Sequence, residues 1–123
     1  MTVSTTQPVR RHLPRVRPSQ TFSFQVGGAE GTLTAGAHPD GQLGEIFLRW
    51  GKQGSATAGL TEAFSIVTSL ALQHGVPVET IASRLRGLRF EPAGPTDDPE
   101  IPEATSVLDY IARRLLADFP PSG

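Results

Sequence analysis

Three groups of residues combine types and spacings that could do chemistry. Arg10, Arg11, Arg15 and Arg17 fall within the first nineteen residues, with no acidic residue among them. Guanidinium groups at this density neutralise phosphates without needing a fold, which makes the run a candidate phosphate-contacting arm. Lys52-Gln53-Gly54-Ser55 places a cation, a glycine and a hydroxyl just ahead of a helical pattern. Free amides at a helix start favour anions, so Lys52, Gly54 and Ser55 form a candidate anion- or nucleotide-binding corner. The glycine count and the Lys-Ser order do not match a P-loop, and an ordinary capped helix start is the competing reading. Arg89 and Glu91 flank Phe90 and share a side if the chain is extended there, a candidate loop or partner site. The competing reading is that they brace a loop carrying Pro92, Pro95, Pro99 and Pro102, whose backbone groups need side-chain partners.

Other residue types point to no catalytic centre. Asp97, Asp98, Glu100 and Glu103 cluster closely, but carboxylates change their acidity only when desolvated or forced together. Among these prolines they read as a solvated loop face, with Glu103 complementing the dipole of a following helix. His12, His38 and His74 lack metal-ligand spacing and read as tail, turn and helix-end residues, so no metal site is expected. The chain has no cysteine, which excludes disulfides, thiolate metal sites and thiol redox chemistry by its own residues.

The elements that must position these groups follow from periodicity. Phe22, Phe24 and Val26 alternate with polar residues ahead of Gly27-Gly28, a strand entering a hairpin. A second strand over residues 31–37, the Asp40-Gly41 turn and a third strand over residues 45–50 complete an antiparallel meander. Leu60, Ala63, Phe64, Val67, Leu70, Ala71 and His74 have helical spacing, bounded by Ser55 or Thr57 as N-cap and by Gly75. Pro77 opens a second helix with Val78, Ile81, Ala82 and Leu85 as its apolar face, ending near Gly87. A third, from about Glu103, carries Ala104, Val107, Leu108, Ile111 and Leu115. The expected fold is α+β, a three-stranded antiparallel sheet packed against about three helices. Residues 1–19 are too polar to bury surface and read as a disordered basic arm, residues 20–119 as one domain and residues 120–123 as a C-terminal tail. Setting the four arm arginines aside leaves seven basic against twelve acidic residues, a body of about −5. Trp50 and Tyr110 read as core or rim aromatics. No apolar stretch is long enough to span a bilayer and no secretory leader is visible, so a cytoplasmic protein is expected.

A longer pattern carries more. Gly27-Gly28-Ala29-Glu30-Gly31, Asp40-Gly41-Gln42-Leu43-Gly44-Glu45-Ile46-Phe47, Lys52-Gln53-Gly54-Ser55, Leu70-Ala71-Leu72-Gln73-His74-Gly75-Val76-Pro77 and Arg89-Phe90-Glu91-Pro92-Ala93-Gly94 occur in that order, followed by Asp98-Pro99-Glu100-Ile101 and Ser106-Val107-Leu108-Asp109-Tyr110-Ile111. Together they resemble the TSCPD domain, the C-terminal domain of adenosylcobalamin-dependent (class II, vitamin B12-dependent) ribonucleotide reductases. Pro95, Asp98, Ala112 and Arg114 stand where that family usually has other residues, the last two at aromatic positions; if those aromatics dock the domain on the reductase barrel, this chain lacks that contact.

The resemblance implies a free-standing relative of that terminal domain, a non-catalytic accessory or binding module linked to deoxyribonucleotide and DNA synthesis. It also admits a split subunit of a ribonucleoside-diphosphate reductase whose catalysis lies on another chain. A nucleic-acid-binding module using the arm is a third reading, and its rivals are a solvated arm or one docking on an acidic partner or on its own body. The implied partner is a reductase catalytic chain or another protein, with weak contact to nucleic acid and none to membranes. Adenosylcobalamin is expected only in the related full-length enzyme, not on this chain.

Overall fold

The structure is a computed structural model and describes residues 9–121. Three antiparallel strands, β1 (Ser19–Val26), β2 (Ala29–Ala37) and β3 (Leu43–Trp50), form one sheet in the order β1-β2-β3. Gly27 and Gly28 turn the first hairpin with φ of 58° and 85°, angles that a Cβ disfavours. The helices are α1 (Ala56–Gln73), α2 (Val78–Leu85) and α3 (Val107–Asp118). The α+β fold is as expected.

The core lies on one face of the sheet. Phe24, Val26, Leu33, Ile46 and Leu48 meet Val107, Tyr110, Ile111 and Leu115 of α3, with Phe22, Val78 and Ile81 at the margin. Gly31 sits in register between Phe24 on β1 and Trp50 on β3. A Cβ there would lie 2.6 Å from the Trp50 ring, so the glycine lets Phe24 and Trp50 stack in parallel across it, centroids 5.7 Å apart. Tyr110 continues the stack on the other side of Phe24 at 4.7 Å. Trp50 and Tyr110 are therefore core aromatics.

The Pro-rich connection holds structure that its sequence conceals. Gly94–Pro95 (β4) pairs with Glu103–Ala104 (β5), and Thr96 bridges to Val26. The peptide bond between Glu91 and Pro92 is cis. The third helix starts later than expected, because Ser106 supplies its N-cap by accepting from Asp109 N–H at 3.0 Å. Glu103 lies in β5 rather than in the first turn of a helix.

The expectation of a disordered arm falls partly on residues 1–8, outside the described residues. Between Arg10 and Arg17 the chain is held to the body at several points, though Val9 and Val16 stay exposed. The Arg11 amide donates to Gln73 O at 2.7 Å, and the Arg10 Nε donates to Gln73 Oε1 at 2.6 Å. Arg17 forks onto Glu45 at 2.6 and 3.0 Å, while Arg11 reaches Asp40 and Gln42. Leu13 and the buried His38 ring close over Gly44, where a Cβ would come within 2.7 Å of both. Of the readings open to the arm, docking on its own body is the one these residues adopt.

Candidate functional site

The orientation of α1 overturns the expected packing. Its apolar stripe faces outward, with Leu60 and Val67 71% and 65% exposed and Ile66 beside them at 55%. The buried side is polar, carrying Ser65, Thr68 and Gln73 with Leu72. Thr61, Ser65, Ser69 and Gln73 recur every fourth residue, and they meet Trp50, Leu48, Ile46 and Gly44 at every second residue of β3. Four helical residues rise about 6 Å and two strand residues about 6.6 Å, so the two ladders stay in step. Ser65 Oγ accepts from Leu48 N–H at 2.9 Å, and Gln73 Nε2 donates to Gly44 O at 2.9 Å. α1 thus takes the place of a fourth strand along the β3 edge, satisfying backbone groups that an open edge would leave free. Phe64 alone of the larger expected residues still packs on the core.

The outward positions Ala56, Leu60, Ala63, Val67, Leu70 and His74 are spaced four, three, four, three, four. That is the a/d spacing of a helix-packing seam. The seam runs the length of α1, about 27 Å for 18 residues. Phe47, pointing away from the core on β3, is also exposed.

A second feature is a recess of about 560 Å³ between the end of α2, the connection and α3, lined by Arg86, Arg89, Thr105, Asp109 and Arg113 among others. Asp109 organises its wall. Its carboxylate accepts from Gly87 N–H at 2.8 Å, Thr105 N–H at 3.0 Å and Arg113 Nη2 at 2.8 Å. Burial alone would raise this carboxyl, yet the Thr105 and Gly87 amides and the Arg113 charge together hold it below the usual carboxylate range.

The far end of α3 carries a structural ion network. Asp98 Oδ2 accepts from Tyr110 Oη at 2.7 Å and from Arg114 Nη1 at 2.8 Å, and Arg114 also holds Asp118 at 2.7 Å. Desolvation works against the charged Asp98, but the Tyr110 and Arg114 hydrogen bonds prevail and lower it. Burial and then Asp98 raise the Tyr110 phenol. Asp98 is therefore an internal anchor, not part of a solvated loop face. Ala112 and Arg114 are buried inside this chain, so neither position is free to dock on a partner.

The sequence-derived candidates separate. Ser55 is the N-cap of α1, accepting from Ala58 N–H at 3.1 Å, with Gly54 at φ 83° in the preceding turn and Lys52 exposed. Arg89 lines the recess with Arg86 and Arg113, while Glu91 folds back to accept from Ala93 N–H at 3.2 Å. Among the described residues no hydrogen bond or ion pair joins the two. Arg10, Arg11 and Arg17 are engaged on the body. Arg86, Arg113 and Asp109 were missed as site residues; the i, i+4 spacing of Asp109 and Arg113 was the available signal.

The full sequence of elements, from the Gly27-Gly28 hairpin to the capped α3, matches the TSCPD domain model over residues 5–119. The chain belongs to the TSCPD domain family. It is 56% identical over 115 residues to vitamin B12-dependent ribonucleotide reductases of Streptantibioticus cattleyicolor and Streptomyces coelicolor, covering 94% of this chain but 19% and 12% of theirs. The reductase of the same name from Rhodopirellula baltica is 44% identical over 113 residues, 92% of this chain and 11% of its own. This TSCPD chain thus spans less than a fifth of the length of the curated relatives it matches. No solved structure matches it. Among the described residues no helix is long and apolar enough to cross a membrane, and no group of three or more His, Asp or Glu is placed to hold a metal ion.

The His38 ring is packed beneath Leu13 against Gly44, and the His74 Nδ1 lies 2.8 Å from Leu70 O.

Proposed function

We propose that this chain is a non-catalytic accessory module of deoxyribonucleotide synthesis that docks through α1 on the catalytic chain of a B12-dependent ribonucleotide reductase. The observation that carries this reading is the outward a/d seam of α1. A free-standing domain gains nothing by turning Leu60 and Val67 to water, whereas a helix on a partner recovers about 1.5–3 kcal/mol for each such side chain buried. The occupant follows from the relatives, in which a segment like this one belongs to a chain five to ten times longer. Thiol chemistry then belongs to the partner, because this chain has no cysteine, and adenosylcobalamin is assigned there with it. A split reductase subunit would use the same contact. The nucleic-acid reading has less support, since Arg10, Arg11 and Arg17 are already paired.

Calorimetry with a purified B12-dependent reductase catalytic chain tests this. Binding that is lost in Leu60→Glu/Val67→Glu and kept in Lys52→Glu is expected. Failure of the wild-type chain to bind, or equal binding by the double variant, would overturn it.

A further inference from the structure

The recess beside α3 shares no residue with the α1 seam and does not depend on the reductase reading. Its wall brings three guanidinium groups to one concavity. Arg86 ends α2 and Arg89 follows two residues after the Gly87 turn, whose φ of 83° bends the chain around the recess. Neither makes a side-chain hydrogen bond or ion pair among the described residues, and both are exposed. Arg113 reaches the same wall from α3.

Arg113 is held but not saturated. Its Nη2 is committed to Asp109 and to the Glu103 carbonyl, whereas Nε is shielded from solvent and has no hydrogen-bond partner. Nη1 makes no hydrogen bond among the described residues and is the part of the fork left to meet a ligand. The recess also keeps an excess of positive charge, since its lining sets Arg86, Arg89 and Arg113 against Asp109, which already serves two backbone amides and Arg113, and Glu103. Like charges gathered on one concavity of an otherwise acidic body are favourable when an anion joins them.

We infer that this recess binds a di- or triphosphate group. Guanidinium forks match phosphoryl oxygens in pairs, and three of them around one recess suit an extended polyanion better than a single carboxylate.

The test uses the full chain with inorganic triphosphate, adenosine triphosphate and a single-stranded oligothymidylate as probes, each titrated at two salt concentrations. Inorganic triphosphate should bind, and Arg86→Ala/Arg89→Ala should weaken it roughly tenfold or more, the loss expected for charged hydrogen bonds. Arg86→Lys/Arg89→Lys, which keeps the charge but not the fork, should recover only part. The control Arg15→Ala/Arg49→Ala removes the same charge away from the recess and should bind like wild type. Tighter binding of adenosine triphosphate than of inorganic triphosphate would identify a free nucleotide as the source and support the site, whereas tighter binding of the oligonucleotide would point to a phosphodiester backbone and overturn the polyphosphate assignment. Binding of no probe, or equal loss in the control, would overturn it. Both alanine sites are exposed and unpaired, so an unchanged melting curve is expected and excludes unfolding as the cause.

Discussion

The Ser69 hydroxyl meets the Ile46 peptide units from both sides, accepting from its N–H at 3.0 Å and donating to its carbonyl at 3.0 Å. A helix side chain here does what a neighbouring strand would do. With Thr61, Ser65 and Gln73 above and below it, this contact sets which side of α1 faces the protein.

Ser69→Ala should therefore lower stability by about 1–3 kcal/mol, the cost of leaving backbone groups unpaired where water has poor access. Val67→Ser, on the opposite side of the same helix, should change stability by about 0.5 kcal/mol or less. Urea denaturation of both variants checks the contrast. Equal losses would mean that the hydroxyl ladder does not orient the helix.

Arg114 and Asp98 tie α3 to the loop before β5, with side chains only 11% and 12% exposed. Removing one partner strands the other charge in a poorly solvated site, so Asp98→Ala should cost about 2–4 kcal/mol. Tyr110→Phe deletes one hydrogen bond to the same carboxylate and should cost about 1–2 kcal/mol. The two effects should not add, because both act through Asp98 Oδ2, and a double-mutant cycle measures the shortfall.

Acid should unfold the protein through specific carboxylates. Asp98 and Asp109 are both held below the ordinary carboxylate range in the folded state. Their contribution is complete above about pH 4, the unfolded value, and is lost as pH falls through the lower folded values. His38 acts at higher pH. Burial, then the nearby Arg11 charge, lowers its imidazole below the usual value despite Asp40. Stability should thus decline gently as pH falls below about 6.5 and steeply below about 4. Melting curves from pH 8 to 3 read both phases, and His38→Gln should remove only the first.

Gly44→Ala places a methyl group against Leu13 and the His38 ring, each within 2.7 Å of the added atom. The arm should be displaced while the sheet persists. Limited proteolysis should then cleave between residues 10 and 17 much faster than in the wild-type chain, with near-ultraviolet circular dichroism of Trp50 and Tyr110 unchanged. Equal cleavage rates would show that the arm is held by its ion pairs alone.

Arg89 and Glu91 differ from a bracing pair in their consequences. Both are exposed and no hydrogen bond or ion pair joins them among the described residues, so Arg89→Ala and Glu91→Ala should each shift stability by about 0.5 kcal/mol or less.

The sequence by itself determined the meander, the three helices and the family pattern, because these are encoded locally. Alternation in Phe22-Phe24-Val26, the Gly27-Gly28 turn, the Ser55 cap and the ordered short motifs each depend on a few neighbouring residues. Tertiary structure decided what those elements face. The stripe from Leu60 to Leu70 has the spacing of a buried side, and nothing local distinguishes a stripe facing the core from one facing a partner. The decision came from β3, a strand edge whose N–H and C=O groups need partners, and from the fourfold spacing of Thr61, Ser65, Ser69 and Gln73 that matches it. Likewise Asp98 reads as a loop carboxylate until Tyr110 and Arg114 arrive beside it, and Arg86 and Arg113 stand twenty-seven residues apart until the chain turns at Gly87 and returns along α3. Such convergence of distant residues is a property of packing, which no window of sequence contains.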